Sequence, residues 1–379
     1  MAVKGLRIAV FGTRGLPANY GGYESFAEEI MPRLVEMGHQ VTVYARSGYT
    51  LEGRLSEYKG VRQIYAPYLK NLYLETPSHD FVSMLDSLRR RFDLYYVLGY
   101  MTAPVFTPVK ATRRILVFNT DGIEWRRAKW EKVKQIIHFN EWYCSKIADH
   151  LVSDALAIQD YWRQAYGRDS AYLASGAYQL NPDDLAEDAL DQWEAGKDGY
   201  YLVACRIDPD NGILEIIKDF VASGSSKELL IAGSMNYETP YWKACQDAAS
   251  RGRVRFLGPV YGPMLIETLH LGAFGYIHGH HAGGTNPALV KAMACRNACF
   301  ANETVYSREV LADTGIFWSK FQPGTLAERI RWAEANPGDT KSLGKRSQER
   351  AAEVYDWDAI ARGHDDFFRR IARQRGLRV

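Results

Sequence analysis

"LRIAVFGTRGLPANYGGYESFAEEIMPRLVEMGHQVTVYAR", residues 6–46, decides the fold. Residues 6–12 form an apolar, partly β-branched run that stops at Gly12. A glycine-rich loop follows, and from Tyr23 to the terminating Gly38 apolar residues recur at helical spacing. "HQVTVYAR" (39–46) then reads as a second strand. Strand, loop, helix and strand in this order predict the opening of a parallel, doubly wound α/β sheet. Further apolar runs at "DLYYVLG" (93–99) and "RILVFNT" (114–120) extend it.

The same grammar restarts near residue 199. "GYYLVACR" (199–206), "KELLIAG" (227–233), "VRFLGPV" (254–260) and "GAFGYIHG" (272–279) read as strands. "NGILEIIKDFVAS" (211–223) and "NPALVKAMAC" (286–295) read as helices. A chain of 379 residues is too long for one ordinary core and suits two domains. The expected division is a first Rossmann-like domain at 1–177, a linker at 178–198, and a second Rossmann-like domain at 199–354. The linker is polar and acidic, bracketed by Pro and Gly. Residues 355–379 then form an amphipathic C-terminal helix that either caps its own domain or returns to the first. Two such domains create a cleft, the usual place for a small ligand.

Composition narrows the function classes. Apolar residues make up 46% and charged residues 24%, values of an ordinary folded protein. A net charge of +2 gives no global field for nucleic acid. Two basic stretches interleaved with aromatics, "WRRAKWEKVK" (125–134) and "FFRRIARQRGLRV" (367–379), read either as solvated helix faces or as contacts for anionic lipid or a phosphorylated acceptor. Five scattered cysteines make no disulfide framework, which fits a reducing cytoplasm. The N-terminal apolar run is too short for a signal peptide, and no stretch approaches the roughly 18 apolar residues of a membrane span. Membrane association is therefore expected to be peripheral.

Three loops carry candidate chemistry. "GTRGLPANYGGYE" (12–24) places glycines and Arg14 between a strand and its helix, where backbone N–H groups can meet a ligand. Its spacing is neither the G-x-G-x-x-G of dinucleotide folds nor a P-loop. In "FNTDGIEWRRAKW" (118–130), Asp121 and Glu124 follow a strand end beside arginines: acceptors for sugar hydroxyls next to cations for charge. Asp121 before Gly122 also reads as a plain turn former. In "HGHHAGGTNPALVKAMACRN" (278–297), Asn286 and Pro287 start a helix whose N-terminus is a natural seat for phosphate. His278, His280 and His281 lack a matching carboxylate or Cys set and read as hydrogen-bonding residues, so no metal site is expected.

With those segments, "ADHLVSDALAIQDYW" (148–162), "RIDPDNGILEII" (206–217), "LGPVYG" (257–262), "REVL" (308–311) and "YDWDAIA" (355–361), the chain resembles a branch of the glycosyltransferase family 4 enzymes that includes bacterial rhamnosyltransferases of capsule and exopolysaccharide assembly. The resemblance implies the GT-B fold, two Rossmann-like parallel-sheet domains facing a cleft. It further implies metal-independent, cofactor-free transfer with retention of configuration, from a dTDP-linked nucleotide sugar to a lipid-linked or polysaccharide acceptor at the cytoplasmic face of the membrane. Arg206 would hold the donor diphosphate, and the backbone around Val260 and Tyr261 would meet the base. His280, Gly283, Gly284, Thr285 and Asn286 would face phosphates or sugar, with Gly12, Arg14 and Gly15 contributing from the first domain. Asp121 and Glu124 would lie beside the reacting carbon, and Tyr20, Gly21, Gly22, Tyr23, Trp125 and Arg127 on the acceptor side.

The chain departs from that family in the Glu-x7-Glu pattern, whose positions are here Gly283 and Lys291. Arg296 stands where Gly is usual, and Asn211 where a Lys often follows the diphosphate arginine. Lys only donates hydrogen bonds, so it cannot accept them from ribose hydroxyls as a carboxylate does. Three readings follow. Lys291 reaches back to the diphosphate, in keeping with a deoxyribose donor such as dTDP-rhamnose; or the exchange has removed transfer and left a glycan-binding or partner protein; or Lys291 faces solvent. A GT-B epimerase or hydrolase is a further alternative.

Overall fold

The computed structural model describes residues 5–18, 21–49, 53–71, 73–126, 132–186, 188–234, 239–260, 263–281 and 283–379. Tyr20, Arg127 and Tyr261, all expected at the site, lie outside the described residues. The chain forms two compact units, residues 1–175 with 357–379, and residues 176–356.

In the first unit, strands β1 (Arg7–Phe11), β2 (Gln40–Ala45), β3 (Glu57–Tyr58), β4 (Val61–Tyr65), β5 (Leu94–Leu98), β6 (Ile115–Thr120), β7 (His150–Ser153) and β8 (Ala171–Tyr172) form one sheet in the order β3-β4-β2-β1-β5-β6-β7-β8. Every pairing is parallel except β3 with β4. Its helices are α1 (Gly22–Glu36), α2 (Glu75–Leu88), α3 (Thr107–Lys110), α4 (Lys134–Ile147) and α5 (Leu156–Tyr166). Strands β1, β5 and β6 are almost wholly buried, because helices cover both faces of a parallel sheet and leave no solvated side.

The second unit repeats the plan with β9 (Tyr200–Ala204), β10 (Glu228–Ala232), β11 (Val254–Gly258), β12 (Gly275–His278), β13 (Cys299–Asn302) and β14 (Ile316–Trp318), ordered β11-β10-β9-β12-β13-β14 and parallel throughout. Helices α6 (Ile213–Ser223), α7 (Pro240–Ala249), α8 (Pro263–Gly272), α9 (Pro287–Ala294), α10 (Val305–Leu311), α11 (Thr325–Ala335) and α12 (Pro337–Val354) complete it. The segment expected as a linker packs inside this unit: Leu190 is buried and the Trp193 carbonyl accepts from Arg255. Acidic composition had hidden one apolar anchor, Leu190.

The last helix, α13 (Trp357–Gln374), belongs to the first unit. Phe367, Phe368 and Ile371 enter the core that α1 covers, and Phe368 meets Tyr96 edge-on at 5.2 Å. Asp365 and Asp358 anchor the helix through His39 at 2.6 Å and Arg33 at 2.7 Å. The aromatics of the C-terminal basic stretch are therefore core residues, while Arg370, Arg373, Arg375 and Arg378 are exposed. No described helix is long and apolar enough to cross a membrane.

Burial leaves a pH signature. His364 under α13 and His270 and His278 in the second unit are enclosed, and the loss of hydration pushes each down to about 4. They stay neutral in the folded chain while the unfolded chain takes up protons near pH 6.5. Stability is therefore full above about pH 6.5 and drops between there and pH 4, by up to about 3 kcal/mol per histidine. The melting temperature should fall over this range, and His364→Phe should fall less steeply than wild type. Equal slopes would remove His364 from the account.

Candidate functional site

Both sheets change direction at their first strand: β1 lies between β2 and β5, and β9 between β10 and β12. In such sheets the carboxyl ends of the strands beside the reversal form a crevice where ligands bind. The candidate residues cluster at these two places, one in each unit.

In the first unit, Gly12 ends β1 at φ 87°, and a Cβ there would stand 2.1 Å from the Leu98 carbonyl oxygen. Only glycine allows this approach between β1 and β5. Gly15 at φ 127° and Gly21 at φ 116° bend the loop into α1, which starts at Gly22. Buried Glu24 holds the turn by accepting from the Arg14 N–H at 2.9 Å, and burial raises its carboxyl above the usual range. The Arg14 guanidinium lies over the Tyr49 ring at 5.0 Å.

Tyr23 reaches from α1 to the end of β6, where its hydroxyl donates to Asp121 at 2.5 Å. Gly99, at the end of β5, leaves room for that hydroxyl, since a Cβ would sit 3.1 Å from it. The structure thus joins one residue expected at the reacting carbon to one expected on the acceptor side. Glu124 is buried, and its N–H donates to Tyr100 Oη at 2.8 Å.

Sequence reasoning missed the group that holds Trp125. Glu141 on α4 is fully buried and accepts from the hydroxyls of Tyr100 at 2.7 Å, Tyr161 at 2.5 Å and Tyr166 at 2.7 Å, and from the Trp125 indole at 3.2 Å. Burial and this carboxylate push the Tyr161 phenol up to about 12. A buried carboxylate is tolerated because its lone pairs are filled. The network fixes the backbone from Gly122 to Trp125, since Tyr100 Oη also accepts from the Glu124 N–H at 2.8 Å.

In the second unit the loop after β9 carries Arg206, which is exposed, with Asp208 3.9 Å away. Asp208 caps the short turn Pro209–Asn211. Asn211 is buried and donates to the Arg206 carbonyl at 2.7 Å, while its Oδ1 accepts from His280 Nδ1 at 2.8 Å. His281 Nδ1 stands 2.8 Å from the Asp210 carbonyl. Gly279 makes the junction possible: a Cβ there would lie 2.2 Å from the Asn211 carbonyl oxygen.

Past the histidines, Gly283 turns at φ 109° and Thr285 is buried. Asn286 caps α9 by accepting from the Ala288 N–H at 3.0 Å, with Pro287 in the first helical position. His278, His280, His281, Gly284, Asn286 and, from α10, Tyr306 line a small hollow. Val260 follows β11 and is half-buried. Lys291, on α9, lies 3.4 Å from Glu267 on α8. Arg296 takes φ 64°, the left-handed turn that ends α9 and that glycine adopts at least cost.

Residues 79–178 match a family described only as a domain of unknown function, DUF1972. No curated protein matches the chain. Among solved structures, sucrose-phosphate synthase from Thermosynechococcus elongatus superposes with a TM-score of 0.82 at 16% identity, over 97% of this chain and 99% of that one. HepE from Anabaena, in complex with UDP, gives 0.78 at 16% identity over 96% and 99%. An α,α-trehalose-phosphate synthase (UDP-forming) from Burkholderia vietnamiensis gives 0.71 at 13% identity over 97% and 100%. At such identities the likeness concerns the fold, and the chain has the GT-B fold, two Rossmann-like parallel-sheet α/β units.

Proposed function

We propose that this chain is a metal-independent, retaining glycosyltransferase that moves a sugar from a nucleotide donor, L-rhamnose from dTDP-rhamnose in our reading, to a lipid-linked or polysaccharide acceptor. The observation that carries the reading is the anion seat in the second unit. Arg206 is exposed at a strand end, and the glycine turn 283–284 leads into an N-capped helix beside the hollow. Structures of similar fold hold UDP or UDP-glucose, which supports a nucleotide sugar as the ligand class.

Departure of a nucleoside diphosphate builds negative charge on the leaving group as the sugar carbon becomes cationic. Preorganised cations and a helix N-terminus stabilise the first. In the first unit Asp121, oriented by Tyr23, presents a carboxylate. With no side chain assigned as a nucleophile, the leaving phosphate oxygen takes the acceptor's proton on the same face, and configuration is retained. Lys291 offers ribose no acceptor, but Glu267 brings a carboxylate to the same neighbourhood, 3.4 Å from the ammonium.

Two tests address the reading. Purified protein with dTDP-rhamnose should release dTDP only when an acceptor is added, and Arg206→Ala should lower that rate roughly a hundredfold. Release without acceptor would point to a hydrolase, and binding without release to a non-catalytic homologue.

The membrane assignment rests on α4. Its outer face exposes Ile136 (62%), Phe139 (52%) and Trp142 (44%) beside Lys134 and Lys146, and its one acidic residue, Glu141, is buried. Such a face suits shallow insertion among anionic headgroups. Phe139→Asp with Trp142→Asp should abolish co-sedimentation with phosphatidylglycerol vesicles. Unchanged sedimentation of this variant would reject α4 as the contact.

A further inference from the structure

Asn211 stands where the resemblance implies a second phosphate cation, and its side chain is already spent on tying the Arg206 carbonyl to His280. Lys291, the substitute that the sequence suggests, is paired with Glu267. A second lysine meets the requirement. Lys320 follows β14, its backbone N–H donates to Asn302 at the end of β13, and its side chain runs back over Gly212, with Cδ 3.6 Å from where a Cβ would stand there. The half-buried ammonium ends 2.7 Å from His281 Nδ1, and among the described residues it makes no ion pair with a carboxylate.

That contact is internally opposed. His281 Nδ1 also lies 2.8 Å from the Asp210 carbonyl, which accepts only from a protonated ring nitrogen, whereas the Lys320 ammonium needs the same nitrogen to carry a lone pair. One nitrogen cannot satisfy both. Drawing the ammonium toward an anion resolves the conflict: Nδ1–H then pairs with Asp210, and Lys320 gains a charged acceptor. Burial weakens the lysine's hold on its proton, and Glu215, Asp210 and Asp208 offset part of that. A dianionic ligand outweighs that burial.

We propose that Lys320, together with Arg206, is the cation pair that holds the diphosphate of the ligand in the second unit, Lys320 replacing the charge missing at position 211. This rests on the reading of that unit as a nucleotide-sugar site, and the two separate experimentally. Calorimetric titrations with inorganic pyrophosphate, dTDP and UDP are compared for wild type, Lys320→Gln and Lys320→Arg, with melting curves to verify folding. Wild type should bind pyrophosphate and at least one nucleotide. Lys320→Gln should lose about tenfold or more for both, and Lys320→Arg should recover most of it.

Pyrophosphate binding that Lys320→Gln leaves unchanged, or no pyrophosphate binding by wild type, overturns the assignment. Binding of dTDP or UDP that is indifferent to Lys320 overturns it too, yet keeps the nucleotide-sugar reading. Lys320-dependent pyrophosphate binding with no gain for either nucleotide upholds the cation and defeats that reading.

Discussion

Both units depend on backbone meeting backbone where the strand order reverses, at a distance no side chain permits. Gly12 lets β1 press against the Leu98 carbonyl, and Gly279 lets the end of β12 press against the Asn211 carbonyl; an added Cβ would come within 2.1 and 2.2 Å respectively. A third such approach, Gly233 against the Cys205 carbonyl at 1.8 Å, braces the other side of β9. These contacts have no side chains to adjust, so a methyl group at any of them must separate the strand ends. The crevice floor in each unit is thus main chain, and the side chains that reach a ligand project from fixed points.

How each site residue is held follows from that floor. In the first unit the loop after β6 would be loose without Glu141, which draws three phenols and an indole inward and so orders Gly122 to Trp125. In the second unit Asn211 and the two histidines weld the loop after β9 to the loop after β12. Polar networks of this kind fix one geometry because leaving any member unpaired in a buried site costs about 1–3 kcal/mol.

The parts legible in the sequence were those with local causes. The βαβ opening, the glycine turns, the Asn286–Pro287 helix start and the reading of His280 and His281 as hydrogen-bonding residues all follow from neighbours a few positions apart. The pairing of Tyr23 with Asp121 spans 98 residues; the strand-end rule placed Asp121, and nothing local joined Tyr23 to it. Glu141 gave no signal, since its partners sit 16 to 41 positions away, on other turns and helices. Lys320 was equally silent: it lies 39 residues from His281, in a loop whose composition is ordinary. The acidic run at 178–198 misled because charge density conceals a single buried leucine, and one anchor suffices to fold a short segment onto a domain.

Charge placement in the second unit shows why a substitution at one helical position does not decide the fate of a site. Lys291 adds a cation to α9, but Glu267 lies beside it, so the pair is neutral. Asn211 brings no charge to the loop after β9, and Lys320 stands beside the same loop through Gly212 and His281. Electrostatic work on a bound anion depends on the summed field at its oxygens and not on which strand supplies each charge. A seat can therefore keep its potential while its sequence pattern is exchanged, provided the new charge arrives on an element as rigid as the old. Lys320 meets that condition because its backbone is hydrogen-bonded to Asn302, the last residue of β13, in the interior of the sheet.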